Sequence, residues 1–197
     1  MKLHLFIVIL AVVICFSVKG QEIAFSKDGI LRAQTTLSTG NMLHYKVTHI
    51  YLSGDLEYFL SEQISIKGES YYFLGSMMSN HFFKYNHSSF AGVSYHLLKN
   101  NIFDPYISIQ PGAAFSLAQR GFYNTDENLN SYNTTINPLL SVSLGFNYFA
   151  SKYFHLFINT QYINGKYLSN APYPISLDEL RISFGLGFNL NVKKTKS

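Results

Sequence analysis

The chain has 197 residues, of which 47% are hydrophobic, 16% aromatic and only 13% charged, with a formal net charge of +4. A soluble domain carries about 25% charged residues and needs them to coat its surface, so this composition argues against an ordinary water-facing globule. Mean hydropathy is near zero (+0.06), and no apolar run after residue 20 approaches the roughly 20 residues of a spanning helix.

Residues 1–20 read as an export signal. Lys2 supplies the positive start, Leu5–Phe16 (LFIVILAVVICF) the apolar centre, and Val18–Gly20 (VKG) the small residues before a cleavage point at Gln21. Ile14 stands where a lipoprotein signal would need a small residue before Cys15, which disfavours lipidation. Cys15 is the only cysteine, so the mature chain would have no disulfide, thiol nucleophile or cysteine metal site. Cleavage would also remove Lys2 and Lys19, leaving 13 basic residues against 11 acidic ones. Residues 21–197 are then one domain.

Eight alternating segments follow, over 29–38, 47–60, 63–75, 88–98, 105–118, 138–150, 153–166 and 178–192. The last is the clearest: Leu180, Ile182, Phe184, Leu186, Phe188, Leu190 and Val192 alternate with Arg181, Ser183, Gly185, Gly187, Asn189 and Asn191. A period of two gives a strand with one oily face, and its length suits a tilted membrane strand of about 9–11 residues. Similar ladders are Ile50 to Leu60, Ile64 to Leu74, Leu140 to Tyr148 and Phe154 to Tyr162, while the first and fourth segments are weaker. Connections after the second, fourth and sixth segments are short. The others are longer: Gly40–Lys46, Ser76–Asn86, Gln119–Asn137 and Gly165–Ser176. This alternation suits an eight-stranded antiparallel up-and-down transmembrane barrel with short periplasmic turns and longer outside loops. A soluble barrel would alternate too, with the oily face inside. Scarce charge, a second face of small polar residues and aromatics near strand ends favour lipid outside. Those aromatics are Tyr58, Phe59, Tyr71–Phe73, Tyr148, Phe149, Tyr153, Phe154 and Tyr167, expected as headgroup-level girdles.

Three stretches carry a resemblance: Phe90–Leu97 (FAGVSYHL), Asp104–Phe115 (DPYISIQPGAAF) and the closing ladder, whose SFGLGFNL echoes SVSLGFNY at 141–148. The layout resembles the small outer-membrane β-barrels of Gram-negative bacteria, the OmpA transmembrane domain and OmpX-like proteins. That resemblance implies outer-membrane residence, assembly by the β-barrel machinery, and roles in adhesion, host interaction or envelope integrity. The chain departs from the pattern in running past Val192 into Lys193–Ser197 instead of stopping on an aromatic residue.

With the oily residues outward, Arg32, Asp55, Glu57, Lys67, Glu69 and Arg181 face inward and form a candidate structural ion network. If Leu60 faces Ile64 across the first turn, Glu57 meets Lys67 and Asp55 meets Glu69, so a cation near the acidic pair is expected, with Arg181 the candidate. A selectivity lining for a narrow pore is the rival reading. His81 and His87 are expected in the second outside loop near Lys84, too sparse for a metal site; His96 and His155 are expected inward, hydrogen-bonded in the lumen. His87 and Ser89 have the two-residue spacing of outer-membrane lipid A deacylases. Phe90 stands where those enzymes carry Asn, and no carboxylate follows before Asp104, so the imidazole lacks an orienting group.

The expected protein is therefore a non-enzymatic, monomeric outer-membrane barrel without metal or cofactor, in contact with outer-membrane lipid and presenting loops to an unidentified outside ligand. A narrow porin-like channel or small-solute transporter is the alternative, and a deacylase-type enzyme a remote one. Nucleic acid is not an expected partner, since no basic cluster is interleaved with aromatics.

Overall fold

The computed structural model describes residues 26–77, 82–99, 101–119, 132–169, 171 and 173–192; the expected signal peptide, His81 and the Lys193–Ser197 tail lie outside them. The strands are β1 (Ile30–Met42), β2 (Thr48–Phe59), β3 (Ile64–Ser76), β4 (Phe83–His96), β5 (Phe103–Ala118), β6 (Thr135–Tyr148), β7 (Phe154–Tyr167), β8 (Ile175–Ser176) and β9 (Glu179–Asn191). Each long strand pairs antiparallel with its chain neighbour, and β9 pairs with both β7 and β1, which closes the sheet. The two-residue β8 only extends β7. Eight long strands thus make an up-and-down barrel with no free edge.

Register fixes the shape. Leu31 pairs with Tyr58, then Ile66, Val93, Ile109, Val142, Tyr162 and Leu180 follow around the wall, and Leu180 returns to Asn41. One circuit therefore climbs ten residues along β1. With strands about 4.8 Å apart and about 3.3 Å per residue, that stagger tilts the strands by about 40°.

The wall sorts side chains by parity. Phe184, Leu144 and Leu56 point outward, 58–69% exposed, while Arg32, Lys67, Gln161 and His155 point inward with none. Outward residues in the middle of the wall are mostly Leu, Ile, Val, Phe, Tyr, Ala or Gly, interrupted by Thr35, Ser70, Ser89, Pro111 and Thr160. That is the outer surface of a barrel in hydrocarbon, where the backbone is satisfied by its neighbours.

Several boundaries differ from expectation. β1 runs on to Met42, β4 starts at Phe83 and β6 at Thr135, so three outside loops are shorter than expected. His87 consequently lies on β4, facing outward, instead of in a loop. At this rim the polarity of the faces inverts: Asn41, Lys84 and Lys166 point out, while Met42, Phe83 and Tyr167 point in. An apolar-out pattern cannot find strands there.

Parity also corrects the aromatic girdles. Tyr58, Tyr72, Tyr148, Tyr153 and Phe154 are exposed on the outer wall. Phe59, Tyr71, Phe73, Phe149 and Tyr167 are buried inside, because neighbours on a strand must face opposite ways. These inward rings form two caps. Ile30, Phe59 and Phe149 close the short-turn end. Tyr51, Tyr71, Phe73, Phe82, Phe83 and Tyr167 belong to a larger cluster toward the long-loop end.

Inward glycines admit these rings and the close neighbouring backbone. A Cβ at Gly145 would meet the Tyr106 ring, and one at Gly92 would strike the Ile109 carbonyl and come within 2.8 Å of the Gln110 Cα. The outward Gly54 has no atom closer than 3.7 Å to that position. Gly92→Ala is therefore expected to destabilise the barrel by about 1–3 kcal/mol, and Gly54→Ala to change it by less than about 0.5 kcal/mol. Midpoints of heat-modifiable gel mobility check the pair.

Candidate functional site: a charged lumen between two caps

The lumen charges fall into lower, central and upper groups. In the lower group, the segment just before β1, together with β5, β4, β2 and β1, contributes one alternating chain. Lys27 Nζ meets Asp104 Oδ1 at 2.6 Å, and His96 Nδ1 lies 2.9 Å from both Asp104 oxygens. His96 Nε2 lies 3.1 Å from Glu57 Oε1, and Glu57 is in turn paired with Arg32. Asn147 Nδ2 donates to Asp104 (2.9 Å) and the Ser65 hydroxyl to Glu57. Both His96 ring nitrogens face carboxylates, an arrangement that the doubly protonated ring satisfies. The Arg32 guanidinium sits 5.9 Å from the Phe59 ring centroid and 5.6 Å from that of Tyr106, joining the chain to the short-turn cap.

Above it, Glu57 stands opposite Lys67 and Asp55 opposite Glu69 in the β2–β3 ladder. Lys67 bridges the acidic pair: it binds Glu69, approaches Asp55 at 3.9 Å and donates to Tyr106 Oη at 3.4 Å. Gln34 also donates to Asp55, and Gln161 to Glu69 at 3.0 Å. The cation between the two carboxylates is thus Lys67, not Arg181 as expected. Arg181 is held one level further out by Glu179, through Nε at 2.8 Å and Nη2 at 2.7 Å, and it donates to Ser88 at 2.7 Å. Its guanidinium lies 4.1 Å and 4.4 Å from the Tyr51 and Tyr71 ring centroids. Tyr51 donates to Glu179, and His49 Nδ1 lies 2.9 Å from the same carboxylate.

Five of the six sequence-derived residues therefore meet in the lower and central lumen, and the sixth, Arg181, belongs to an upper cluster. Glu179 was missed, although it is two residues from Arg181 and shares its face. Asp104 shares the inward parity of Tyr106 but lies just ahead of the 105–118 segment, so the alternation there does not report on it. Lys27 precedes the first strand, where no periodicity reports on it. Counting His96 as a cation, Lys27, Arg32, Lys67, Arg181 and His96 balance Asp55, Glu57, Asp104, Glu69 and Glu179. His155 stands apart from the ion pairs, hydrogen-bonded to Asn189 (2.7 Å) and Gln34 (2.9 Å).

The outward His87 and Ser89 take separate partners. His87 Nδ1 accepts from the Phe73 amide at 3.1 Å and its ring stacks on Tyr72, 4.3 Å between centroids. Ser89 pairs with Ser70 at 3.0 Å. Asp104, the next carboxylate in the chain, is committed to Lys27 and His96 inside the lumen.

At the long-loop rim, Asp178 pins two connections together. It accepts from Asn164 Nδ2 (2.8 Å) and the Gly165 amide (3.1 Å), and His44 Nε2 lies 3.0 Å away. The Tyr45 hydroxyl accepts from the Ser176 amide at 3.2 Å.

No family model and no curated protein matches this sequence. Solved structures do. OprG from Pseudomonas aeruginosa superposes with a TM-score of 0.65 at 12% identity, covering 86% of this chain and all of OprG. The N-terminal β-barrel domain of Pseudomonas aeruginosa OprF gives 0.55 at 12% identity, over 84% of this chain and all of that one. The fold is that of the small outer-membrane β-barrels. Ail, the attachment invasion locus protein of Yersinia pestis, solved with the heparin analogue sucrose octasulfate, gives 0.51 at 14% identity, over 83% and 99% of the two chains. The outer-membrane barrel architecture, with its lipid-facing apolar wall, is thus supported by superposition and by the chain's own surface chemistry.

Two outcomes follow from this geometry. Lys67→Met leaves two facing carboxylates without their bridge, and losing one partner of a buried pair costs about 3–5 kcal/mol; a clear drop in the thermal midpoint is expected, without new bilayer conductance. At the rim, burial works against the charged form of Asp178, but the Gly165 amide, Ser176 and His44 outweigh it and hold its carboxyl below the ordinary range. The stabilisation from this clamp is complete above the ordinary aspartate value of about 3.9 and is lost as pH falls through the lowered folded value. The chemical shift of the Gly165 amide proton, which reports the Asp178 carboxyl, should therefore change with pH with a midpoint below about 3.9 by NMR; a midpoint at or above it contradicts the clamp.

Proposed function

We propose that the protein is a closed surface barrel: a monomeric, non-catalytic scaffold that anchors its long loops on the outer face of the membrane for adhesion or envelope integrity. The observation that carries this reading is the filled lumen. Ion-paired side chains occupy its middle, and aromatic caps close both ends. One lumen cavity, lined by Gln34, Ser53, Asp55, Glu69, Tyr71 and Asn159, measures about 10 Å³, room for about one water. Eight strands make a narrow tube that side chains fill, whereas aqueous channels come with 16–18.

The loops would be the working surface. Rigid walls fix their roots, and the Asp178 clamp ties the β1–β2 and β7–β9 connections to each other. Ail, a neighbour in fold, is by its name an attachment protein, which supports a surface role without indicating this chain's ligand. In this reading the barrel is inserted by the β-barrel assembly machinery, with its short turns toward the periplasm and outer-membrane lipid around its wall.

The competing reading is a narrow channel for small solutes. Liposome swelling separates the two. Proteoliposomes should exclude arabinose and glucose as well as protein-free vesicles do; swelling at rates typical of a porin would replace the scaffold with a channel.

A further inference from the structure

A lysine at the rim of a membrane barrel ordinarily extends its ammonium toward water. Lys27 does the reverse. It precedes β1, yet its side chain is fully buried, donating to Asp104 Oδ1 at 2.6 Å and to the Leu98 carbonyl at 2.7 Å. Both partners belong to the β4–β5 turn region, well across the short-turn rim from the start of β1.

The backbone around Lys27 is held by a different turn. Glu62, between β2 and β3, accepts from the Ser26 hydroxyl (2.5 Å), the Lys27 amide (3.1 Å) and the Asp28 amide (3.4 Å). Gly29 then turns the chain into β1 with a φ of +77°, a conformation that L side chains resist. The Ile30 amide closes that turn on the Lys27 carbonyl at 3.0 Å. The Gly29 amide donates to the Phe59 carbonyl, and the Val192 amide to the Gly29 carbonyl, both at 3.0 Å. Residues 26–29 are therefore tied to the β2–β3 turn, the β4–β5 turn and the ends of β2 and β9. Beneath them, Ile30 and Phe59 form the short-turn cap with Phe149.

A strap that served only to lead into β1 would not need to bury a cation. Burial of the Lys27 charge is offset chiefly by Asp104, which is already inside as the terminal carboxylate of the chain that runs through His96 and Glu57 to Arg32. We propose that residues 26–29 form a latch over the short-turn mouth, with the Lys27 side chain as its bolt, whose release opens the Asp104–His96–Glu57 chain to solvent. The latch uses no residue of the outer loops and holds whether the loops bind a ligand or not.

Lysine footprinting with a water-soluble N-hydroxysuccinimide ester, read by mass spectrometry on the folded barrel, tests it. In the wild type, Lys27 should react at least tenfold more slowly than the exposed Lys152. Glu62→Gln weakens the anchor of residues 26–29 on a partly exposed turn, and Asp104→Asn removes the charge of the bolt's partner. Each should raise Lys27 reactivity at least fivefold while Lys67, at mid-lumen, stays unreactive and heat-modifiable mobility is retained. If Asp104→Asn does not fold, Glu62→Gln decides. Labelling of wild-type Lys27 at the rate of Lys152, folded variants in which Lys27 stays protected, or labelling of Lys27 and Lys67 together in Glu62→Gln would each overturn the latch.

Discussion

Closing an antiparallel sheet on itself leaves no edge, and each side chain is then committed by parity either to lipid or to the lumen. With eight strands and a stagger of ten, the lumen is too narrow to keep its polar groups hydrated as bulk water would. Every charge admitted to it must find a partner across or along the wall, since an isolated buried ion costs several kcal/mol. The ion pairs, the caps and the inward glycines follow from that single constraint. Alternation of sign from Lys27 to Arg32 keeps each carboxylate between donors, and Lys67 does the same for the facing Asp55 and Glu69.

Such networks are poor evidence of extra stability. A well-packed apolar interior of equal volume would often do as well. Their weight lies in specificity: slipping one strand by a residue would turn its whole polar row into hydrocarbon. A polar interior therefore holds the register of a wall whose outer face, made of similar aliphatic side chains, distinguishes one register from another only weakly. The same sealing is what supports the proposed scaffold role. A channel needs mobile water along its axis, and here rings from opposite strands meet at both ends.

Much of this was legible from residue order. Alternation along Leu180–Val192 and its counterparts gave the strands and the side that meets lipid. The tight turn at Ser61–Gln63 gave the pairing of Glu57 with Lys67 and Asp55 with Glu69. Contacts across the lumen were not legible, because His96 with Glu57, Lys67 with Tyr106 and Arg181 with Ser88 depend on the stagger accumulated around the circuit, which no local pattern encodes. The upper ends of β1 and β4 were missed for another reason. Above the bilayer the outer face turns polar and the inner face aromatic, so the rule that finds a strand in lipid reverses sign. Grouping aromatics by nearness to strand ends instead of by parity puts Tyr71, Phe73 and Tyr167 in a girdle when they line the cap.

The central claim is that apolar side chains meet lipid while polar ones are enclosed. Single cysteines placed along β9, in residues 21–197, which have none of their own, test it through spin labels and two relaxants in bilayers. Positions 182, 184, 186 and 188 should be relaxed strongly by oxygen and weakly by a water-soluble nickel chelate, whereas 183 and 189 should be shielded from both. Strong relaxation by the chelate at 184 and 186 would place that face in water and contradict the membrane-spanning barrel.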